Sequence, residues 1–288
     1  VSAGVRGRVA VVFPRLAITS GDHAAMLASS LGSLRMLRQL GVTAYAAVGY
    51  SAGEIAGLVW AGCLSSAEAA RLAALRGQVL NGCTQRQAAM VRVLGDSAVA
   101  RKMCKQNGLH FAAYETDRSH VLAGSAADVR NLALHAAVIG IETEVLAATC
   151  ALHTPAVARC AAPMRSVLSG IPFSPPRRPL ISTVTGRLVT GDDDLGGLLT
   201  EQLSKPVLFT QAMAAAAEHA DLIVVAGADD RLAANAAQAG ARPAVTLAAH
   251  SVPVPDTVAA LFAAGAIPLA VVSRSAWHLH DHRGKGPS

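Results

Sequence analysis

The chain has 288 residues, enough for one large domain with a proper core or for two small ones. Hydrophobic residues make up 52% and charged residues only 15%, which fits an alanine-rich α/β protein, while 3% aromatics argues against stacking platforms for single-stranded nucleic acid. The net charge of +6 is spread along the chain, so it suits an acidic partner, a phosphorylated ligand or plain solubility, and nothing else supports a nucleic-acid role.

Val9 to Phe13 is continuously apolar and reads as a buried strand stopped by Pro14. Residues 15 to 21 read as a loop. Asp22 to Leu40 follows with helical periodicity: Met26, Leu27, Leu31, Leu34, Leu37 and Leu40 share one face, and Gly41 is the C-cap. Tyr45 to Val48 then reads as strand and Glu54 to Ala61 as helix, joined by a sharp turn of small residues. Ser51 sits in that turn in a G-x-S-x-G frame. In a strand–turn–helix this frame forces the serine into a tight elbow with its hydroxyl exposed above the sheet. The glycines are needed because a Cβ there would meet the neighbouring strand and helix. The N–H of Ala52 would then lie at a helix N-terminus, where a developing oxyanion is stabilised. By itself the frame is equally compatible with an ordinary strand-to-helix turn.

Ser65 and Glu68 form a capping box for a helix from Ser66 to about Leu80, striped with Leu72, Leu75 and Val79. Arg76 adjoins that stripe. An arginine there is either a snorkelling surface residue or a buried anion clamp. From Ala88 to Ala148 the pattern changes. Met90–Leu94, Leu109–Tyr114, His120–Ala123 and Ile141–Ala147 read as strands, and Ser97–Asn107 and Ala126–Ile139 as helices. That order is βαββαβ, a ferredoxin-like unit, and it reads as an insertion because β/α organisation resumes after it. Pro155 to Leu168 is helical in pattern, Pro172 to Pro179 extended, and Leu180 to Val184 a short strand. Gly191 to Gly197 reads as an acidic loop. Leu198–Gln202, Thr210–His219 and Arg231–Ala239 read as helices and Leu222–Ala226 as a strand. One apolar segment and a linker-like tail, Trp277 to Ser288, complete the chain.

The expected architecture is α/β, an α/β-hydrolase-like core with a parallel sheet plus an inserted ferredoxin-like (βαββαβ) subdomain. Residues 1–86 and 149–250 form the large subdomain, 87–148 the small one, and 251–288 a C-terminal segment and linker. Five cysteines (Cys63, Cys83, Cys104, Cys150, Cys160) without C-x-x-C spacing, and no evident leader, lead to an expectation of reduced thiols and a cytoplasmic location. The longest apolar stretch, Ala259 to Val272, holds Gly265 and Pro268 and is too short to span a bilayer, so no membrane partner is expected. His278, His280, Asp281 and His282 fit no defined zinc spacing, so the expectation for metal sites is none.

Six ordered motifs give the chain a family resemblance from about Asp22 to about Ala239. They are Gly49-Tyr50-Ser51-Ala52-Gly53-Glu54, Ala61-Gly62-Cys63-Leu64-Ser65, Ala74-Leu75-Arg76-Gly77, Ala151-Leu152-His153-Thr154-Pro155, Ser182 to Gly186 (S-T-V-T-G), and Gln202-Leu203-Ser204-Lys205-Pro206-Val207. In this the chain resembles the acyltransferase domain of polyketide synthases and the malonyl-CoA:acyl-carrier-protein transacylases, nearest in tone to the iterative, enediyne-type synthases. The resemblance implies Ser51 as nucleophile, His153 as base and the Gln202 backbone carbonyl as the group that orients the imidazole. It implies Arg76 as the partner of the extender's free carboxylate. Leu152, Tyr50 and Ala52 complete the substrate-binding set. Without the resemblance, His153 does not stand out among ten histidines. The implied activity moves a malonyl unit from CoA to the phosphopantetheine arm of an acyl-carrier protein, without metal or redox cofactor, beside neighbouring synthase domains.

Four stretches depart from the family's pattern. Phe13-Pro14 is followed by Arg15-Leu16-Ala17-Ile18 where the family has P-G-Q-G-S-Q, whose glutamine-position N–H is the second oxyanion donor, and the helical segment after it is missing. An N–H of Arg15 or Leu16 is the expected substitute. Tyr50 stands where histidine is usual. Ala113-Tyr114-Glu115-Thr116 replaces an asparagine-containing stretch, and a Glu115 carboxylate facing the site would repel malonate. Val225 to Asp230 replaces the usual E-x-G/S-P stretch. Two other readings compete with the acyltransferase: a degenerate scaffold domain, favoured by the missing loop, and a serine thioesterase or hydrolase, which would have no need of Arg76.

Overall fold

The computed structural model describes residues 7–15, 23–83, 87–146, 148, 150–248, 255–268 and 271. The histidine-bearing tail and, apart from Arg15, the loop expected over residues 15 to 21 lie outside them.

Two sheets organise the molecule. The first is wholly parallel and runs β7 (Leu180–Ser182), β2 (Ala44–Gly49), β1 (Val9–Phe13), β8 (Leu222–Val225), β9 (Ala244–Thr246). Its central strand, β1, is fully buried along its length, as a continuous apolar run between covered faces requires. Helices α1 (His23–Gln39), α2 (Glu54–Ala61), α3 (Ser66–Cys83), α8 (Phe209–Ala217) and α9 (Asp230–Gly240) pack in the same unit, with α10 (Pro255–Ala263) contacting β9.

The second sheet is antiparallel, in the order β4 (His110–Tyr114), β5 (Ser119–Ser125), β3 (Ala88–Leu94), β6 (Thr143–Leu146). With α4 (Ser97–Gln106) and α5 (Ala126–Val138) it gives the βαββαβ unit expected from the sequence. Its strands serve two cores by alternation. Val91, Val93 and Leu122 point into a small core with Met103, Val129 and Leu132. Met90, Ala113, Val121 and Ala123 point the other way, into the main core. Period-2 geometry makes this division automatic. A backbone bridge ties the units, the Tyr114 N–H donating to Val207 O (2.9 Å) and the Val207 N–H to Ala112 O (2.9 Å).

Three readings of the sequence need correction. Pro155–Cys160 is a 3-10 turn, and the α-helix (α6, Ala161–Leu168) begins only afterwards. Pro163 has no N–H for a bond to the carbonyl of residue 159, so an α-helix begun at Pro155 is interrupted there, whereas a first-turn proline costs nothing. The acidic loop ends at Asp194, because its side chain accepts the Gly197 N–H (2.9 Å) and starts helix α7 (Leu195–Glu201) three residues early. Strand β9 went unread, since three half-buried residues after a proline carry too little periodicity. No helix among the described residues is long and apolar enough to cross a membrane.

Candidate active site

Strand β2 leads into the elbow. Ser51 opens a 3-10 turn (Ser51–Gly53) that feeds α2, and its φ is +55°, a conformation that costs an L-residue energy and persists only when its surroundings enforce it. The surroundings are visible. A Cβ on Gly49 would lie 2.4 Å from Glu54 Cα, and one on Gly53 would lie 2.3 Å from Phe13 O and 2.6 Å from Pro14 O. The end of β1 therefore presses on the elbow, and the Tyr50 N–H donates to Phe13 O (2.9 Å). Both frame glycines are required for close approach.

Beneath the turn lies Glu54, fully buried. Its carboxyl accepts from Ser182 Oγ (2.8 Å), the Thr183 N–H (2.8 Å) and Thr183 Oγ1 (3.0 Å). Burial pushes it up to about 7 against the pull of these donors. This knot ties α2 to the S-T-V-T-G stretch. Sequence reasoning missed it, because a glutamate opening a helix is ordinarily a surface residue.

His153 also has positive φ (+64°), in the turn before α6. Its Nε2 lies 2.7 Å from Ser51 Oγ, and its Nδ1 lies 2.7 Å from Gln202 O. A carbonyl can only accept, so Nδ1 carries the proton and Nε2 is free to accept from the serine hydroxyl. Burial, then the charges of Arg76 and Arg15, push the imidazole down to about 4, so it is neutral at pH 7. The Gln202 side chain is engaged as well: its Nε2 donates to Ser51 O (2.8 Å) and its Oε1 accepts from Arg76 Nη2 (3.3 Å).

Arg76 on α3 is only 2% exposed, and its Nε has no hydrogen-bond partner. Burial lowers it to about 10, still charged at neutral pH. A buried guanidinium with a spare donor has the chemistry to pair with an anion. It faces a cavity lined also by Arg15, Tyr50, Ser51, Ala52, Leu152 and His153, with Met90, Ala113 and Val121 from the second sheet. Ser51, His153, Arg76, Tyr50, Ala52 and Leu152 thus meet at one cavity, with Gln202 behind it.

The Glu115 carboxylate does not confront this cavity as a free charge. Arg92 grips it through Nε (2.7 Å) and Nη2 (3.1 Å), and the Tyr50 hydroxyl (3.1 Å) and Ser119 Oγ (3.0 Å) donate to it. Burial alone would raise Glu115, but the Arg92 contacts outweigh it and hold the group below its ordinary value. Arg92 also pairs with Glu144, which pairs in turn with Arg231 of α9 (3.4 Å). Arg92 was invisible in the sequence, since one charge in an apolar strand has no pattern. Among the departures after β8, Asp229 caps α9 by accepting the Leu232 N–H (2.9 Å). No cluster of three or more metal-ligating side chains occurs among the described residues, and Cys63, Cys104, Cys150 and Cys160 are free thiols.

A parallel α/β core with a serine elbow, covered by a βαββαβ unit, is the fold of the acyltransferases. Residues 15–266 match the family described as the acyl transferase domain, and the chain belongs to that family. It is 34% identical to the acyltransferase domain of an iterative polyketide synthase of enediyne biosynthesis, with a TM-score of 0.79 over 91% of this chain and 72% of that one. The malonyl-CoA:acyl carrier protein transacylase of Xanthomonas oryzae pv. oryzae shares the fold at 23% identity, with a TM-score of 0.79 over 89% of this chain and 98% of that one. The non-reducing polyketide synthase olcA of Penicillium canescens is 33% identical over 67% of this chain and only 9% of its own length. The chain spans a tenth or less of such curated synthases.

Proposed function

We propose that the chain is a malonyl-type acyltransferase that loads an extender unit onto an acyl-carrier protein through an acyl-serine intermediate, in polyketide biosynthesis. One observation carries the reading: the Ser51–His153–Gln202 relay opens on the same cavity as Arg76, whose buried Nε is unpartnered. In the first half-reaction Ser51 attacks the thioester of malonyl-CoA and His153 takes its proton, handing it to the departing thiolate. In the second, His153 takes the proton of the phosphopantetheine thiol as its sulfur attacks the ester, and returns it to Ser51 Oγ as the Oγ–C bond breaks. Arg76 holds the malonyl carboxylate throughout. The chemistry calls for neither metal nor redox cofactor. The kinship with synthase acyltransferase domains supports a carrier protein and neighbouring synthase domains as partners.

Incubation with malonyl-CoA, followed by intact-protein and peptide mass spectrometry, tests this. A malonyl adduct on Ser51 that is absent from Ser51→Ala is expected. No adduct would leave a scaffold role, and rapid hydrolysis without transfer would mean a thioesterase.

Extender size follows from Leu152, buried in the cavity wall. The resembling family tends to place phenylalanine there for malonyl and serine for methylmalonyl units. Leucine is nearer phenylalanine in volume, and overpacking a rigid site by one methyl costs about 1–3 kcal/mol, so malonyl-CoA should be preferred about tenfold or more. Competition between the two esters, read as kcat/KM, checks this. Leu152→Ser should move the ratio toward methylmalonyl.

A further inference from the structure

We infer that the Arg15 guanidinium is a catalytic group of this site, joining the Ala52 N–H in binding the oxyanion formed when Ser51 attacks an acyl carbonyl. The inference rests on the acyl-transfer reading of the elbow, and it follows by elimination among the donors at the cavity wall. Among the described residues, side-chain donors there come from Arg15, Tyr50, Ser51, Arg76 and His153. The Tyr50 hydroxyl is committed to Glu115 (3.1 Å). The Ser51 hydroxyl is directed to His153 Nε2 and the His153 Nδ1–H to Gln202 O. Arg76 is tethered to Gln202 and sunk in the wall. Arg15 makes no hydrogen bond or ion pair with any described residue.

Its backbone is well placed for the task. Phe13 O accepts the Tyr50 N–H, and the carbonyls of Phe13 and Pro14 fill the space beside Gly53, so the chain delivers Arg15 directly over the elbow. Its charge reaches the nucleophile's surroundings, contributing to the depressed basicity of His153.

Charge counting points the same way. Attack by Ser51 forms the Oγ–C bond, sends the hydroxyl proton to His153 Nε2 and turns the carbonyl π pair into an oxyanion. Return of that pair restores C=O and breaks C–S, and the thiolate leaves with the proton from His153. With a malonyl group the intermediate carries two negative charges, the carboxylate and the oxyanion. Among the described residues the cavity wall carries two arginines. Arg76, buried, serves the resident carboxylate, and Arg15, at the exposed mouth, serves the transient charge.

An oxyanion donor is indifferent to the acyl tail, whereas a carboxylate clamp is not. The test therefore compares three probes of Ser51 on the full chain: malonyl-CoA, acetyl-CoA and a fluorophosphonate, whose P=O oxygen occupies the oxyanion position. Arg15→Ala should slow all three by a similar factor, about 100- to 1000-fold. Arg15→Lys should recover part of the loss, and both variants should melt with the parent because the residue is exposed. Parent-like labelling of Arg15→Ala would overturn the inference, and so would a loss confined to malonyl-CoA. Should the parent take the fluorophosphonate but not malonyl-CoA, an equal slowing by Arg15→Ala would uphold Arg15 while the extender reading falls. A parent Ser51 that no probe labels would sink both.

Discussion

At the scale of single residues, the site works by controlling which groups are charged. His153 is kept neutral by burial and by two nearby guanidinium groups, with its imidazole held near 4. A base is effective only while deprotonated, so activity should persist as pH falls below the ordinary histidine range and fade only through about pH 4. The pH dependence of kcat/KM for Ser51 acylation measures this. An acid limb near 6.5 would mean that His153 is solvated in the working enzyme. Arg76→Ala should move that limb upward, because a cation is removed. The same substitution should cripple malonyl transfer while sparing acetyl transfer. A lost carboxylate contact of this kind costs roughly 2–5 kcal/mol. Equal loss with both esters would make Arg76 a strut for Gln202 rather than a ligand for the substrate. Ser51 and Arg76 were legible from their motifs. That the Gln202 side chain buttresses both was not, because its two contacts join residues 126 and 151 positions away.

At the scale of elements, the elbow is braced from below and from the side. Below it Glu54 joins α2 to the strand end at Ser182. Beside it Tyr50, Glu115 and Arg92 join β2 to the second sheet. Glu115 and Arg92 have side chains only 3% exposed, and because Arg92 keeps Glu144 as a second partner, it is removal of Arg92 that strands a charge, the Glu115 carboxylate, away from water. Arg92→Met should cost about 3–5 kcal/mol, and pairing it with Glu115→Ala should recover most of that. Denaturant unfolding of the single and double variants reads the difference. A double variant no more stable than the single would show that the pair itself, and not the orphaned charge, is what matters. Element types were largely legible from periodicity. Besides the short strand β9, the failures came where one side chain overrode the pattern: Pro163 delaying α6 and Asp194 advancing α7. Arg92 and Glu115 looked like isolated charges because their pairing arises only when two strands meet.

At the scale of the whole molecule, the alternation along β3 and β5 has a consequence for chain length. One strand is read from both sides: Met90 lines the catalytic cleft and Arg92 grips Glu115 beside it, whereas Val91 and Val93 belong to the lesser core. A single extra residue within β3 would exchange the two sets, turning valines toward the acyl group and an arginine into oil. The strand therefore behaves like a reading frame, in which indels are fatal although many substitutions are silent. The turns at Gly108 and Gly140 carry no such phase. Both glycines have positive φ with open space around them, and each follows a helix rather than interrupting a ladder. Inserting one glycine after Gly140 should leave acylation and melting temperature near the parent's, whereas inserting one between Val91 and Arg92 should abolish both soluble expression and labelling of Ser51. Natural variation in the length of this unit is accordingly expected to collect at its helix ends, leaving the count from Ala88 to Leu94 untouched.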